Sequence, residues 1–322
     1  MAHAWLKWPQ WVLACRPLIG GGFWCCGTAH RRRSAAHWAA KTGSLLVLAV
    51  CELAVTLCHA DAVPLKYFPA GPIYEYRWKL LELALAHLPA DPAGAYKLEP
   101  YAEDVSQNRG INLLQSGAID VVALGTNAER EKQMRPVKID ILRGLVGYRI
   151  FIIRADDQER IARMSDAAFR QQLTFGLNSQ WADLPIMQAN GYTMLTSTDY
   201  EGLFGMLAAR RFDAIPRGLN EAGVELAARL QTYPQLSIER TRALYIPYPV
   251  YFWVARDRVA LANRIERGLR AALADGSFRK LFEAYHADAL ADLAKQNRRV
   301  IRLSNPVLPP GSVEPDTSWW WR

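Results

Sequence analysis

Apolar residues recur along this chain with two spacings. In residues 74–88, "YEYRWKLLELALAHL", Leu80, Leu81, Ala84, Leu85 and Leu88 lie three and four apart, which predicts a helix with one buried face. Pro89 and the "DPAG" that follows end it. In residues 113–130, "LLQSGAIDVVALGTNAER", a helix end is followed by the stop Gly117, a short apolar strand over 119–124 and a polar loop closing on Arg130. Residues 206–222, "MLAARRFDAIPRGLNEA", repeat that grammar: Met206 and Leu207, then Phe212-Asp213-Ala214-Ile215, then Arg217. Two such units predict two similar lobes, each bringing a cation to a strand end.

The remaining pattern fits helices alternating with short strands, an α/β arrangement with mostly parallel sheets. "VPLKYF", "YKLEPY", "VKIDIL", "YRIFIIRA", "LTFGL" and "LSIE" read as strands, and "ALYIPYPVYFWVA" as one long strand broken by Pro247 and Pro249. Helices are predicted over 104–116, 181–190, 200–210, 219–230, 258–274 and 277–286, with a short one in "NAEREKQM" capped by Asn127. Leu203, Phe204, Leu207, Leu269, Leu273 and Phe278 are the expected core. The last 17 residues read as irregular.

Charge and cysteine usage divide the chain of 322 residues unevenly. Arg31, Arg32 and Arg33 precede an apolar run from Gly43 to Cys58, and Ala60-Asp61-Ala62 fits a small-x-small cleavage site. The run falls short of the roughly 20 residues of a membrane span. Residues 1–62 are therefore expected to be a leader and signal peptide, with residues 1–30 either an extension of it or upstream of the true start. All five cysteines (15, 25, 26, 51 and 58) fall inside it, so a chain beginning near Val63 carries no thiol into an oxidising compartment. Removing residues 1–62 takes 39 basic residues to 33 and 31 acidic to 29, leaving +4 of the original +8. No basic stripe with interleaved aromatics stands out, which argues against nucleic acid as partner. After residue 62 the only histidines are His87 and His286. No metal-ligand spacing, nucleophile turn or phosphate-cradling glycine loop occurs, so neither an enzyme nor a cofactor is expected.

From about Leu65 to His286 the chain resembles the amino-acid-type (family 3) periplasmic solute-binding proteins of ABC transporters. The residues that carry the resemblance are "LLQSGAIDVVALGTNAER", "YRIFIIRAD", "DYEGLFGMLAARRFDAI" and "LRAALADGSFRKLFEAYH", in that order. It implies a two-lobed, type II-like fold with crossing strands as hinge: lobe one from 63–149 and 247–288, lobe two from 150–246, and a tail over 289–322. It also implies a monomer that captures a small anion or amino acid in the periplasm and delivers it to an ABC permease. A lyase or dehydratase of the same fold, acting on a cyclic carboxylic acid, is the alternative.

The resemblance also assigns site residues. The Thr-x-x-Arg loop of the family, here with Asn127 for the threonine, makes Arg130 the partner of a ligand carboxylate, with Thr126 and Asn127 beside it. Tyr74 and Tyr76 are placed to stack on the ligand. Ser179 and Trp181 lie in a strand-to-helix turn suited to an anion. In lobe two, where the family carries an acid for the ligand's ammonium, this chain reads Pro216-Arg217, with Asn220 following. Two facing cations favour an acidic amino acid or organic anion, unless Glu221 restores the acid or neutralises Arg217. Asp120 and Asp213 look like a carboxylate pair, but each stands at a strand start, where an Asp caps backbone N–H groups.

Overall fold

The structure is a computed structural model that describes residues 62–69, 71–89, 95–103 and 105–321. The expected leader lies outside these residues, Ala62 excepted.

Lobe one is built on two small sheets. Strands β1 (Val63–Tyr67) and β2 (Tyr96–Pro100) pair in parallel. Strand β3 (Val122–Gly125) and β4 (Arg135–Val137) flank the antiparallel β11 (Val250–Val254), and a parallel bridge from Tyr67 to Val121 joins the two sheets. Helices α1 (Glu75–Ala86), α2 (Gln107–Gln115), α3 (Ala128–Gln133), α9 (Val259–Ala274) and α10 (Ser277–Lys295) belong to this side. The helical spacing of the leucines does what it predicts: Leu80, Leu81 and Ala84 are fully buried.

Helix α9 crosses α1 so closely that a Cβ on Gly268 would lie 2.0 Å from the Ala84 carbonyl oxygen. Backbone cannot yield as a side chain can. Gly268→Ala is therefore expected to lower unfolding free energy by about 1–3 kcal/mol or more, checked by urea denaturation.

Lobe two holds a seven-stranded sheet in the order β12-β10-β5-β8-β6-β7, with β9 on β5. Its strands are β5 (Tyr148–Arg154), β6 (Thr174–Asn178), β7 (Thr193–Ser197), β8 (Ala214–Gly218), β9 (Leu236–Ile238), β10 (Arg242–Tyr245) and β12 (Arg299–Arg302). Helices α4 (Gln158–Ala162), α5 (Asp166–Gln172), α6 (Leu184–Ala189), α7 (Tyr200–Ala208) and α8 (Leu219–Ala227) connect them. The sheets are mixed. Strands β6, β7 and β8 pair in parallel, as do β1 with β2 and β10 with β12, whereas β5 and β11, each following a passage between the lobes, run against their neighbours.

The two repeat units share one clasp. Asp120 N donates to the Lys66 carbonyl at 2.8 Å while Lys66 N donates to Asp120 Oδ2 at 2.9 Å. Asp213 N donates to the Thr174 carbonyl at 2.8 Å while Thr174 N donates to Asp213 Oδ2 at 2.9 Å. Each aspartate ties the start of its strand to the neighbouring strand, which accounts for both carboxylates structurally.

The chain passes between lobes at residues 138–147 and 246–249. Asp140, buried, binds the two passages: Oδ1 accepts from Val250 N and Leu142 N, and Oδ2 from Gly144 N. Burial pushes its carboxyl up to about 6 against the pull of those three donors. Gly147 lies against the second passage, where a Cβ would stand 2.2 Å from the Ile246 carbonyl oxygen. "VKIDIL" is thus strand only as far as Val137, because from Ile139 its backbone serves the hinge. The run around Pro247 and Pro249 is two strands in different sheets, since a residue without an N–H cannot continue a ladder.

The C-terminal region differs most from its sequence reading. Helix α10 continues to Lys295, and β12 then pairs in parallel with β10 of lobe two. After Arg302 the chain is irregular, as its prolines suggest, yet it lies across the hinge. Asn305 Nδ2 donates to Pro247 O at 2.7 Å, and Val313 N to the Tyr251 hydroxyl at 2.9 Å. Trp319 packs edge-on to Phe278 and Phe282 of lobe one, and Trp321 edge-on to Tyr148 and Tyr245 of lobe two. The three tryptophans are half-buried in this way.

Candidate functional site

Two guanidinium groups stand at the end of β3. Arg77, from the first turn of α1, donates Nη1 to Ala123 O at 2.8 Å. Arg130, from α3, donates Nη1 to Gly125 O at 2.7 Å and Nη2 to Gln107 Oε1 at 2.9 Å. Ala123 and Gly125 are two residues apart, so the anchors are about 7 Å apart along the strand. Asn127 caps α3, accepting from Arg130 N at 2.8 Å, and so fixes where the arginine leaves the backbone. Arg77 also stacks on the Tyr74 ring at 4.1 Å. Both arginines are buried, and neither pairs with a carboxylate among the described residues. Burial lowers both pKa values, but a guanidinium keeps its proton in proteins.

Lobe two presents arginines that are already matched. Arg149 of β5 lies 3.0 Å from Asp183 and 3.7 Å from Glu221. Arg217 of β8 donates Nε to Glu225 Oε2 at 2.6 Å and Nη2 to Glu225 Oε1 at 2.5 Å, and lies 3.0 Å from Glu221. Trp181 covers it, ring centre to guanidinium 4.2 Å. Burial disfavours the Arg217 charge, but Glu221 and Glu225 outweigh it and push its pKa up. Burial likewise opposes ionised Glu221, and Arg217, Arg149 and Arg77 together hold its pKa low.

These walls enclose about 50 Å³ of open space, also bordered by Tyr74, Gln107, Asp183 and Tyr248. That exceeds the roughly 10–15 Å³ required by one water and suits a small ligand only. The lobes touch at its edge, where Asn108 N donates to Gln180 Oε1 at 3.4 Å.

Of the residues singled out in the sequence, Tyr74, Arg130, Trp181 and Arg217 line this space. Tyr76 does not: its hydroxyl donates to Ile141 O and its ring packs on Phe282 and His286 in the core, one residue's rotation around α1 from Arg77. Ser179 is exposed, with its N–H on Ser197 O. Thr126 is buried, its hydroxyl near Glu131 at 3.4 Å, and Asn220 is half-buried outside the lining. Of the alternatives left open for Arg217, the structure has the neutralised one: Glu221 pairs with it, and Glu225 joins Glu221.

Tyr248, one of the aromatics that the sequence places near the cleft, lines it too, whereas Arg77, Gln107, Arg149 and Asp183 are not singled out by the sequence. Arg149 had a signal, a charge inside the apolar "YRIFIIR". Arg77 had none, because a basic residue on an amphipathic helix ordinarily faces water.

A Ser-His-Asp cluster elsewhere has the wrong geometry for a nucleophile. Asp275 Oδ2 and Ser277 Oγ both meet His87 Nε2, at 2.7 and 3.2 Å, while Nδ1 faces Leu83 O. A catalytic triad needs the acid on one ring nitrogen and the serine on the other.

No family model and no curated protein matches this sequence. Solved structures do. An ancestral arginine-binding protein bound to arginine superposes with TM-score 0.52 at 15% identity, over 70% of this chain and 99% of that one. The fold is that of the two-lobed periplasmic binding proteins. The periplasmic VFT2 domain of Bordetella pertussis BvgS shares it with TM-score 0.51 at 16% identity, over 73% of this chain and 97% of that domain. In this binding-protein fold the described cavity lies between the lobes, beside the passages that link them.

Proposed function

We propose that the protein is an extracytoplasmic solute-binding protein that closes its lobes on a small ligand bearing an anionic group, a carboxylate first, and delivers it to an ABC importer. The observation that carries the reading is the pair Arg77 and Arg130, buried, cationic and, among the described residues, in ion-pair contact with no carboxylate, Glu221 and Asp183 acting on them only from farther off. A guanidinium fork offers a carboxylate two parallel N–H···O bonds, and two forks can hold one anion between them. Hinge closure then removes the pair from water, which strengthens each bond. The likeness in fold to an arginine-binding protein supports the cleft as the place of binding.

A melting screen with amino acids, hydroxy acids and dicarboxylates tests this. A ligand at about 100 times its dissociation constant is expected to add roughly 2.7 kcal/mol to stability. A cooperative melt unmoved by every member of the panel would remove the reading, and chemical conversion of a stabilising compound would make the protein an enzyme instead.

A further inference from the structure

The charges around the cavity do not cancel. Arg77, Arg130, Arg149 and Arg217 bring four positive charges, and Asp183, Glu221 and Glu225 bring three negative ones, which leaves +1. Six of these seven side chains border the cavity, and Glu225 does not. It is 1% exposed and grips Arg217 from the far side through both oxygens. Its own place in α8 is fixed by Arg229, which donates Nη1 to the Glu225 carbonyl at 2.8 Å. Without Glu225, Arg217 would keep only Glu221, which Arg149 also approaches, and the count would rise to +2.

We propose that Glu225 sets the charge of the ligand: by occupying Arg217 it leaves a site that matches one net negative charge and rejects a dianion. The inference rests on the solute-capture reading above. In a closed cleft an unmatched charge has neither water nor partner, so each added charge on the ligand must be met by the wall. An acidic amino acid, with two carboxylates and one ammonium, or a simple monocarboxylate fits the count. A dicarboxylate without an ammonium exceeds it by one. The ammonium of an acidic amino acid would find Asp183 and Glu221 on the lobe-two wall, while its carboxylates face Arg77 and Arg130.

Calorimetric titration decides, with the screened panel grouped by net charge. L-aspartate, L-malate and L-asparagine share a skeleton and carry one, two and no net negative charges, and L-lactate and L-alanine extend the series. Wild-type protein is expected to bind the singly charged members best. Glu225→Gln is expected to improve the ratio of dianion to monoanion affinity by about tenfold or more, as one charge-matched contact is gained. Arg217→Gln together with Glu225→Gln returns the count to +1, so the order of preference should return with it. That double variant also serves if Glu225→Gln alone does not fold, because it removes both halves of the buried pair. Three results overturn the inference while leaving solute capture intact: wild type that prefers dianions, Glu225→Gln with an unchanged order, or a double variant that prefers dianions. A panel in which nothing binds removes both.

Discussion

Arg217→Ala is expected to lose about 3–5 kcal/mol of folding stability, the cost of leaving a buried charge without its partner. One carboxylate would be stranded, Glu225, which gives both oxygens to this arginine, while Glu221, 3.0 Å away, would keep only Arg149 at 3.7 Å. Both are buried, so water cannot replace the guanidinium. The loss should be largest at neutral pH and shrink in acid, because Arg217 helps to hold the Glu221 carboxyl low and that contribution is present only above the ordinary carboxylate range. Urea denaturation at several pH values checks this. A variant as stable as wild type would mean that lobe two opens enough to hydrate Glu225, which contradicts its burial. Read from the sequence, this arginine is a ligand-facing cation unless Glu221 neutralises it. The two glutamates make it an internal tie.

Arg130→Ala should behave in the opposite way. Its hydrogen bonds go to a backbone carbonyl and to Gln107, neutral acceptors, each worth about 1 kcal/mol to the fold. No carboxylate of the described residues is stranded by its loss. The ligand's anionic group is, and truncating one side of a buried charged contact costs on the order of 2 to 5 kcal/mol. Affinity should fall roughly 30- to 4,000-fold for whichever panel member wild type binds best. Calorimetry on a variant whose melting temperature is little changed would show it. Unaltered affinity would move the anion site to Arg77 alone or out of this cavity.

The contrast between these arginines shows what the sequence carried. Both stand after a repeat unit, and both reach the cavity. The grammar of helix, glycine stop and strand was enough to place them, because strand ends are set by local patterning. The charge state of their surroundings was not legible. Glu225 lies eight residues from Arg217 on a helix whose other acid, Glu221, was the visible candidate, and helical turn count decides that both face it. Arg149 and Asp183 meet only after the chain has folded lobe two.

Among the strands, β7 and β12 were missed for a different reason. They are short and partly exposed at the two ends of the sheet, so their side chains show no buried face to read. The long apolar run ending in "VYFWV" was read as a strand, but only the sheet order reveals that its halves serve different lobes.

The pairing of β12 with β10 has a consequence for how this chain acquires its structure. Lobe two is interrupted by the whole excursion through β11, α9 and α10 before its edge strand arrives at Arg299. Lobe one is likewise left open between β3 and β11, whose partners Val122 and Trp253 are separated by all of lobe two except β12. Neither sheet can close until almost the entire chain is available. Pairings of such wide separation carry a large entropic cost before they return any stabilisation, and they slow folding. A chain emerging from its N-terminus therefore completes lobe one only with β11 and lobe two only with β12, so neither lobe is a finished domain before the other is largely made.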